Sequence, residues 1–225
     1  MTPVLLAWSG GKDSALALAE LRRRPTHRVV GLLTTVTDAY DRVSMHGVRR
    51  SILRAQAASI GLPVFEAVLP ADASNDIYDE AWASAIRRAR ERFGPVEHLA
   101  YGDLFLEDVR RFREEQSVRL DYLPLFPLWG RDTGVLAREF VGAGYEAYLT
   151  CVDTQQLDAS FAGRRYDARL IDELPATVDP CGERGEFHTC VVGGPVFAEA
   201  IAVTVGERTT RAERFEYCDL IPIDV

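Results

Sequence analysis

The chain has 225 residues, 47% of them hydrophobic, which is enough for one large domain or two small ones with a real core. Its net charge of −8, with no Lys/Arg cluster interleaved with aromatic residues, argues against a nucleic-acid platform but allows a phosphorylated ligand in a local basic pocket. There is no recognisable export leader and no apolar run of membrane-spanning length, and the four cysteines (Cys151, Cys181, Cys190, Cys218) form no CxxC pair, so a cytoplasmic protein with reduced thiols is expected.

The first strand is expected at Val4–Trp8, an apolar run of the kind buried on both faces of a parallel sheet. It stops at Ser9-Gly10-Gly11-Lys12-Asp13-Ser14, and a helix with apolar Leu16, Ala17 and Leu21 is expected to Arg24. A glycine-rich turn from a strand into a helix N-terminus offers free N–H groups and the positive dipole end to an anion. Lys12 adds a point charge, and Ser9 and Ser14 add hydroxyls. The string is not a Walker A loop, because Leu6 and Asp13 stand where that pattern needs Gly and Ser or Thr. Lys12 is the only lysine among 26 basic residues, the other 25 being arginine. The two are interchangeable on a solvated surface but not at a compact phosphate site.

Further strands are expected at Val29–Val36, Val64–Leu69 and Leu99–Tyr101, with a polar loop at Thr37–Gly47. Helices are expected at Val48–Ile60, closed by Gly61, at Asp76–Phe93, capped by Ser74 or Asn75, and at Glu107–Leu120. Leu123–Leu128, with two prolines, reads as an edge strand or an extended linker. This alternation predicts a Rossmann-like α/β fold, with helices on both faces of a parallel sheet and ligands beyond the carboxyl ends of its strands. Past a boundary placed near Leu128 the pattern becomes a smaller α+β unit: residues 1–128 form the first part and 129–225 the second. The second part is read as a helix at Thr133–Val141, a strand at Ala147–Val152 and a short helix at Ala168–Leu174. Strands at Glu186–Val192 and Ala198–Val205 then flank Gly193-Gly194-Pro195 as a hairpin.

Several residues outside the loop could carry chemistry. His46 either contacts phosphate or caps the following helix. Asp103 ends the fourth strand, where a carboxylate could hold Mg²⁺ or an incoming amine, or cap a helix. On the charged helix, Arg110 is the choice for an inward phosphate or carboxylate contact. Cys181-Gly182-Glu183-Arg184-Gly185-Glu186-Phe187-His188-Thr189-Cys190 reads as a loop able to close on a ligand, or as a turn and strand of the core. Its spacing fits no common zinc site, and no metal-ligand set is assigned.

Ser9–Ser14 resembles the SGGxDS pyrophosphate loop of the N-type ATP pyrophosphatases. The order SGGKDS, MHG, GDLFLEDVRRFRE, LFPLWGRDT and CGERGEFHTCVVGGPVF resembles, over nearly the whole chain, the diphthine–ammonia ligase family. The resemblance implies an adenine nucleotide α-hydrolase-like fold and ATP-dependent amidation: a carboxylate is adenylated, pyrophosphate leaves, and ammonia displaces AMP. It implies that Ser9, Gly10, Gly11, Lys12, Asp13 and Ser14 hold ATP, with Mg²⁺ sharing the charge. Asp103 then matches the GD pair at the nucleotide edge, and Glu183, Glu186 and Thr189 match the substrate half, with Lys12, Asp103 and Glu186 catalytic. Phe187-His188-Thr189 stands where the family's eukaryotic and archaeal amidases usually carry Tyr-Glu-Thr; the His-Thr form looks more like bacterial relatives. Bacteria lack diphthamide, which leaves the acid open. The expected partners are ATP, ammonia and a small or protein-borne carboxylate, with a homodimer open and neither membrane nor nucleic acid expected. Two rival readings are a tRNA-modifying ATP pyrophosphatase, disfavoured by charge and by the lack of CxxC, and a sensor that binds ATP without turnover.

Overall fold

The computed structural model describes residues 1–223. The first half contains strands β1 (Thr2–Ala7), β2 (His27–Thr37), β3 (Arg42–Val43), β4 (Val64–Leu69), β5 (His98–Ala100) and β6 (Leu123–Leu125). Between them lie helices α1 (Lys12–Arg23), α2 (Arg50–Ile60), α3 (Asn75–Phe93) and α4 (Glu107–Arg119). The parallel strands run in the order β4-β2-β1-β5-β6, and β3 adds antiparallel to the end of β2 through Val36 and Val43. Alternation along β1 decides the layering. Val4 and Leu6 join the apolar side chains of α1 and α2, while Leu5 joins Trp82, Ala85 and Ile86 of α3 on the opposite face. β1 is therefore buried on both sides, as its unbroken apolar run requires. Local signals set the helix ends. Ser74 Oγ accepts a hydrogen bond from the Ile77 amide, and Gly61 at φ +76° closes α2 with its N–H on the Ala57 and Ala58 carbonyls.

The second half contains α5 (Thr133–Gly142), β7 (Glu146–Asp153), α6 (Ala168–Glu173), β8 (Phe187–Gly193), β9 (Val203–Arg211) and β10 (Phe215–Pro222), with an antiparallel sheet ordered β8-β7-β10-β9. β8 and β9 thus stand on opposite edges and are not the two arms of a hairpin. Past Gly193-Gly194-Pro195 the chain runs irregularly, touching β8 through the Ile201 N–H on the Val192 carbonyl (2.6 Å), before β9 begins. The hairpin is β9–β10, turned by Ala212 and Glu213 at φ +50° and +51°, with the Arg214 N–H on the Arg211 carbonyl. Such a turn ordinarily signals itself by Asn-Gly or Asp-Gly. Here neither residue is of that type, and β9 is mostly exposed and polar.

The halves share one apolar cluster, running from Val4 and Leu18 to Leu149, Phe187 and Leu220. Two polar clasps join them. Arg42 and Arg49, flanking the turn before α2, both grip the Asp219 carboxylate of β10. The Val191 N–H of β8 donates to the Gly10 carbonyl (2.8 Å), which lays β8 directly over the turn from β1 into α1.

Candidate functional site

Residues 9–14 turn at the carboxyl edge of β1, where the chain continues to β2 on one side and where β5 lies on the other. This reversal of strand order is the place where open α/β sheets bind ligands. A cavity of about 320 Å³ opens there. Gly10 has φ +80°, and a Cβ on it would sit 2.8 Å from Gln56 Oε1. Gln56 is fully buried and holds the turn from beneath. Its Oε1 accepts from Trp8 Nε1 (2.9 Å), and its Nε2 donates to the carbonyls of Gly10 (3.0 Å) and Val191 (2.7 Å). Gly102 serves the same close packing, since a Cβ there would lie 2.9 Å from the Asp13 backbone.

Lys12 is only 2% exposed, and it points into the second half instead of bulk solvent. Its ammonium donates to both oxygens of Asp13 (2.9 and 2.8 Å) and to the Cys181 carbonyl, and lies 5.8 Å from the centroid of the Phe187 ring. Burial alone would lower its pKa. The Asp13 carboxylate, joined by Cys181 and Glu183, more than offsets burial and raises it. The Lys12 amide donates to Thr189 Oγ1 (3.1 Å), so β8 engages the loop through backbone and side chain alike.

Glu183 and Glu186 have different surroundings. Glu183 lines the cavity, and its Oε1 accepts from the Leu104 amide (2.7 Å). Burial, joined by the charges of Asp13 and Asp103, pushes its pKa up to about 7 against the Leu104 hydrogen bond. Glu186 is fully buried away from the cavity, its oxygens taken by the amides of Asp179 (2.8 Å) and Arg184 (2.9 Å), so it braces the loop that Glu183 projects from. His46 and His188 line the cavity with ring centroids 4.4 Å apart. Burial first and the Lys12 charge next bring His188 down to about 4. Burial, the neighbouring imidazole and Lys12 hold His46 well below its usual value.

Asp103 lines the β5 side of the cavity, with burial and then Asp13 raising its pKa against the pull of Arg113. The arginine that α4 turns inward is Arg113. Arg110 lies outside the cavity, paired with Glu114 (2.8 Å) and stacked 4.7 Å from the Trp129 ring centroid. A charged helix read for its alternating signs gives no preference between the two arginines; the deciding signal is the helical phase relative to the buried Gln116 and Ser117. Gln56 escaped the sequence reading as well, although an amide on the apolar face of Ile52, Leu53, Ala57 and Ile60 marks a buried polar contact. Among the described residues no three His, Cys, Asp or Glu side chains converge closely enough to hold a metal ion, and no helix is long and apolar enough to cross a membrane.

The opposed shifts of Glu183 and the histidines predict a test. Glu183 binds its proton more tightly folded than unfolded, so its contribution to stability is present at low pH and lost as pH rises through about 7. His188 does the reverse: its contribution is present above its ordinary value near 6.5 and lost as pH falls towards about 4. Glu183→Gln, which keeps an acceptor for the Leu104 amide, is expected to remove the first effect alone. Its melting temperature should exceed that of the parent at pH 7.5 by more than at pH 5; an equal difference at both pH values contradicts the assignment.

A Rossmann-like sheet whose central strand ends in a glycine-rich turn over a lidded cavity defines an α/β protein of the ligand-binding, switch-point type. The chain belongs to the diphthamide synthase family: that family's N-terminal domain matches residues 2–119 and its C-terminal domain residues 132–220. It is similar to the diphthine–ammonia ligases of Homo sapiens (27% identity, covering 88% of this chain and 82% of the relative) and Danio rerio (25%, 91% and 88%). The diphthine–ammonia ligase of Bos taurus is similar to the same degree (27%, 91% and 84%).

Proposed function

We propose that the protein is an ATP-dependent carbon–nitrogen ligase that adenylates a carboxylic acid and transfers ammonia to it, releasing AMP and pyrophosphate. The observation that carries this reading is the Ser9–Ser14 turn, joined through Lys12 and Thr189 to the loop that bears Glu183. A carboxylate is a poor electrophile, and joining it to AMP supplies a leaving group. An acid oxygen attacks the α-phosphorus, and pyrophosphate departs into the turn. The helix N-terminus and Lys12 meet its growing charge, a preorganised arrangement whose single donors are worth about 10²–10³ in rate. In the free protein Lys12 is shared with Asp13, so incoming phosphate competes with Asp13 for the same ammonium. Mg²⁺ takes one or two carboxylates with phosphate oxygens and water. Asp13, with its side chain 28% exposed beside the turn, would hold it, and the bound ion would supply charge neutralisation. Ammonia then adds to the acyl carbon and AMP leaves. Glu183, with its pKa near neutrality and its side chain on the cavity, is placed to accept the proton that ammonia sheds.

The test is incubation of the protein with Mg-ATP, ammonium and a panel of acids, followed by separation of AMP from ADP. AMP and pyrophosphate are expected only when an acid is present. ADP as product, or tight ATP binding with no product across the panel, overturns the ligase reading.

A further inference from the structure

The cavity lies over the Ser9–Ser14 turn, and the residues that β2 and β5 bring to it differ chemically. From β2 to the turn before α2 the chain contributes lining residues that include Leu33, Thr35, Val43 and His46, and none of its contributions is an Asp, Glu, Lys or Arg. On the β5 side stand Asp103, Arg113 and the rings of Tyr78, Trp82 and Tyr101. A neutral wall beside open strand ends suits a nucleoside; a charged lobe suits a charged ligand.

Two cations line the cavity among the described residues. Lys12 is committed to Asp13 and the Cys181 carbonyl. The Arg113 guanidinium lies 4.7 Å from the centroid of the Tyr101 ring, with its Nε 3.7 Å from Asp103 Oδ2, too long for a hydrogen bond. Arg113 Nε, Asp103 Oδ2 and Trp82 Nε1 are all buried without a hydrogen-bond partner. Three buried polar atoms without a hydrogen bond, two of them held only in the 3.7 Å Arg113–Asp103 ion pair, are far from the rule for protein interiors and suit a ligand that hydrogen-bonds them. Two are donors, suited to the oxygens of a carboxylate, and a guanidinium offers a planar fork for that group. The third is an acceptor and suits an N–H or O–H.

We propose that this lobe is the acceptor subsite, in which Arg113 binds the carboxylate to be activated and Asp103 takes a hydrogen bond from an N–H or O–H on the adjacent carbon. The acceptor is then a small α-amino or α-hydroxy acid. The inference deepens the ligase reading and rests on it, but it is tested by binding. The protein is saturated with α,β-methylene-ATP, which cannot be cleaved between the α- and β-phosphorus, and titrated with L-alanine, L-lactate and propionate while its melting temperature is followed. L-alanine or L-lactate is expected to raise the melting temperature at concentrations at least tenfold below those propionate needs. Arg113→Gln is expected to lose that response by tenfold or more while its affinity for the nucleotide analogue stays within threefold of the parent, and Asp103→Leu, which has no acceptor, to lose the discrimination against propionate. Propionate acting as well as the other two, no response to any of the three, or a tenfold loss of analogue affinity in Arg113→Gln overturns the proposal. A response of the expected kind with no AMP formed from ATP sinks the ligase reading and leaves the subsite standing.

Discussion

Lys12→Met is expected to lose AMP formation by about 10²–10³ and also to weaken the fold. The second effect follows from where the ammonium lies. It is buried, and removing it leaves the Asp13 carboxylate and the Cys181 carbonyl facing an apolar side chain. Breaking a buried pair by deleting one partner costs about 3–5 kcal/mol. Asp13 is more than a quarter exposed, so water recovers part of this and about 3 kcal/mol is the reasonable figure. For a chain of this size that is a fall of roughly 6–12 °C in melting temperature. The double variant Lys12→Met/Asp13→Asn separates the two roles. Without a carboxylate to neutralise, most of the lost stability should return, while binding of inorganic pyrophosphate, followed by calorimetry, and AMP formation stay at the floor. If the double variant recovers pyrophosphate binding together with its melting temperature, Lys12 is a structural ion and the turn grips phosphate by other means.

That double role marks what a one-dimensional reading reaches. The turn itself was legible, because a strand, two glycines and a helix start are local features, and the lone lysine singled out the position. What Lys12 touches was not legible, since Cys181 and Thr189 lie some 170 residues away and reach it only through β8 packing across the turn. The parallel sheet came through for the same local reason: β1, β2 and β4 are largely apolar runs, and α2 and α3 carry local stop signals in Gly61, Gly94 and the Ser74 cap. The second sheet came through poorly. β10 carries Cys218 and Leu220 inward, but its partner β9 is polar and the turn between them lacks glycine, so neither alternation nor turn chemistry announced the pair. Glu183 and Glu186 look equivalent in a Gly-Glu-x-Gly-Glu string. Only the fold shows one carboxylate facing the cavity and the other spent on the amides of its own loop.

Gln56 is the position where the largest purely structural effect is expected, with function following from it. Its side chain joins three elements at one point: Trp8 at the end of β1, Gly10 in the turn and Val191 in β8. Gln56→Leu has nearly the same volume and suits the apolar face of α2, so packing is kept. It strands the Trp8 indole N–H and the Val191 carbonyl; the Gly10 carbonyl retains the Val191 N–H. Each buried group left unsatisfied costs about 1–3 kcal/mol, so a loss of roughly 2–6 kcal/mol is expected by urea titration. Gln56→Glu should be worse near neutral pH: it keeps the acceptor for Trp8 but turns a carboxylate towards two carbonyl oxygens. Below the ordinary carboxylate range the proton restores one donor, so the glutamate variant should regain stability on acidification relative to the leucine variant, whose difference from the parent stays flat. In both variants the turn loses its support from beneath, so affinity for pyrophosphate should fall even though no residue that touches the ligand has changed. Equal stability of the two variants at pH 7, or unaltered pyrophosphate affinity in both, shows that β1 and α1 hold the turn without Gln56.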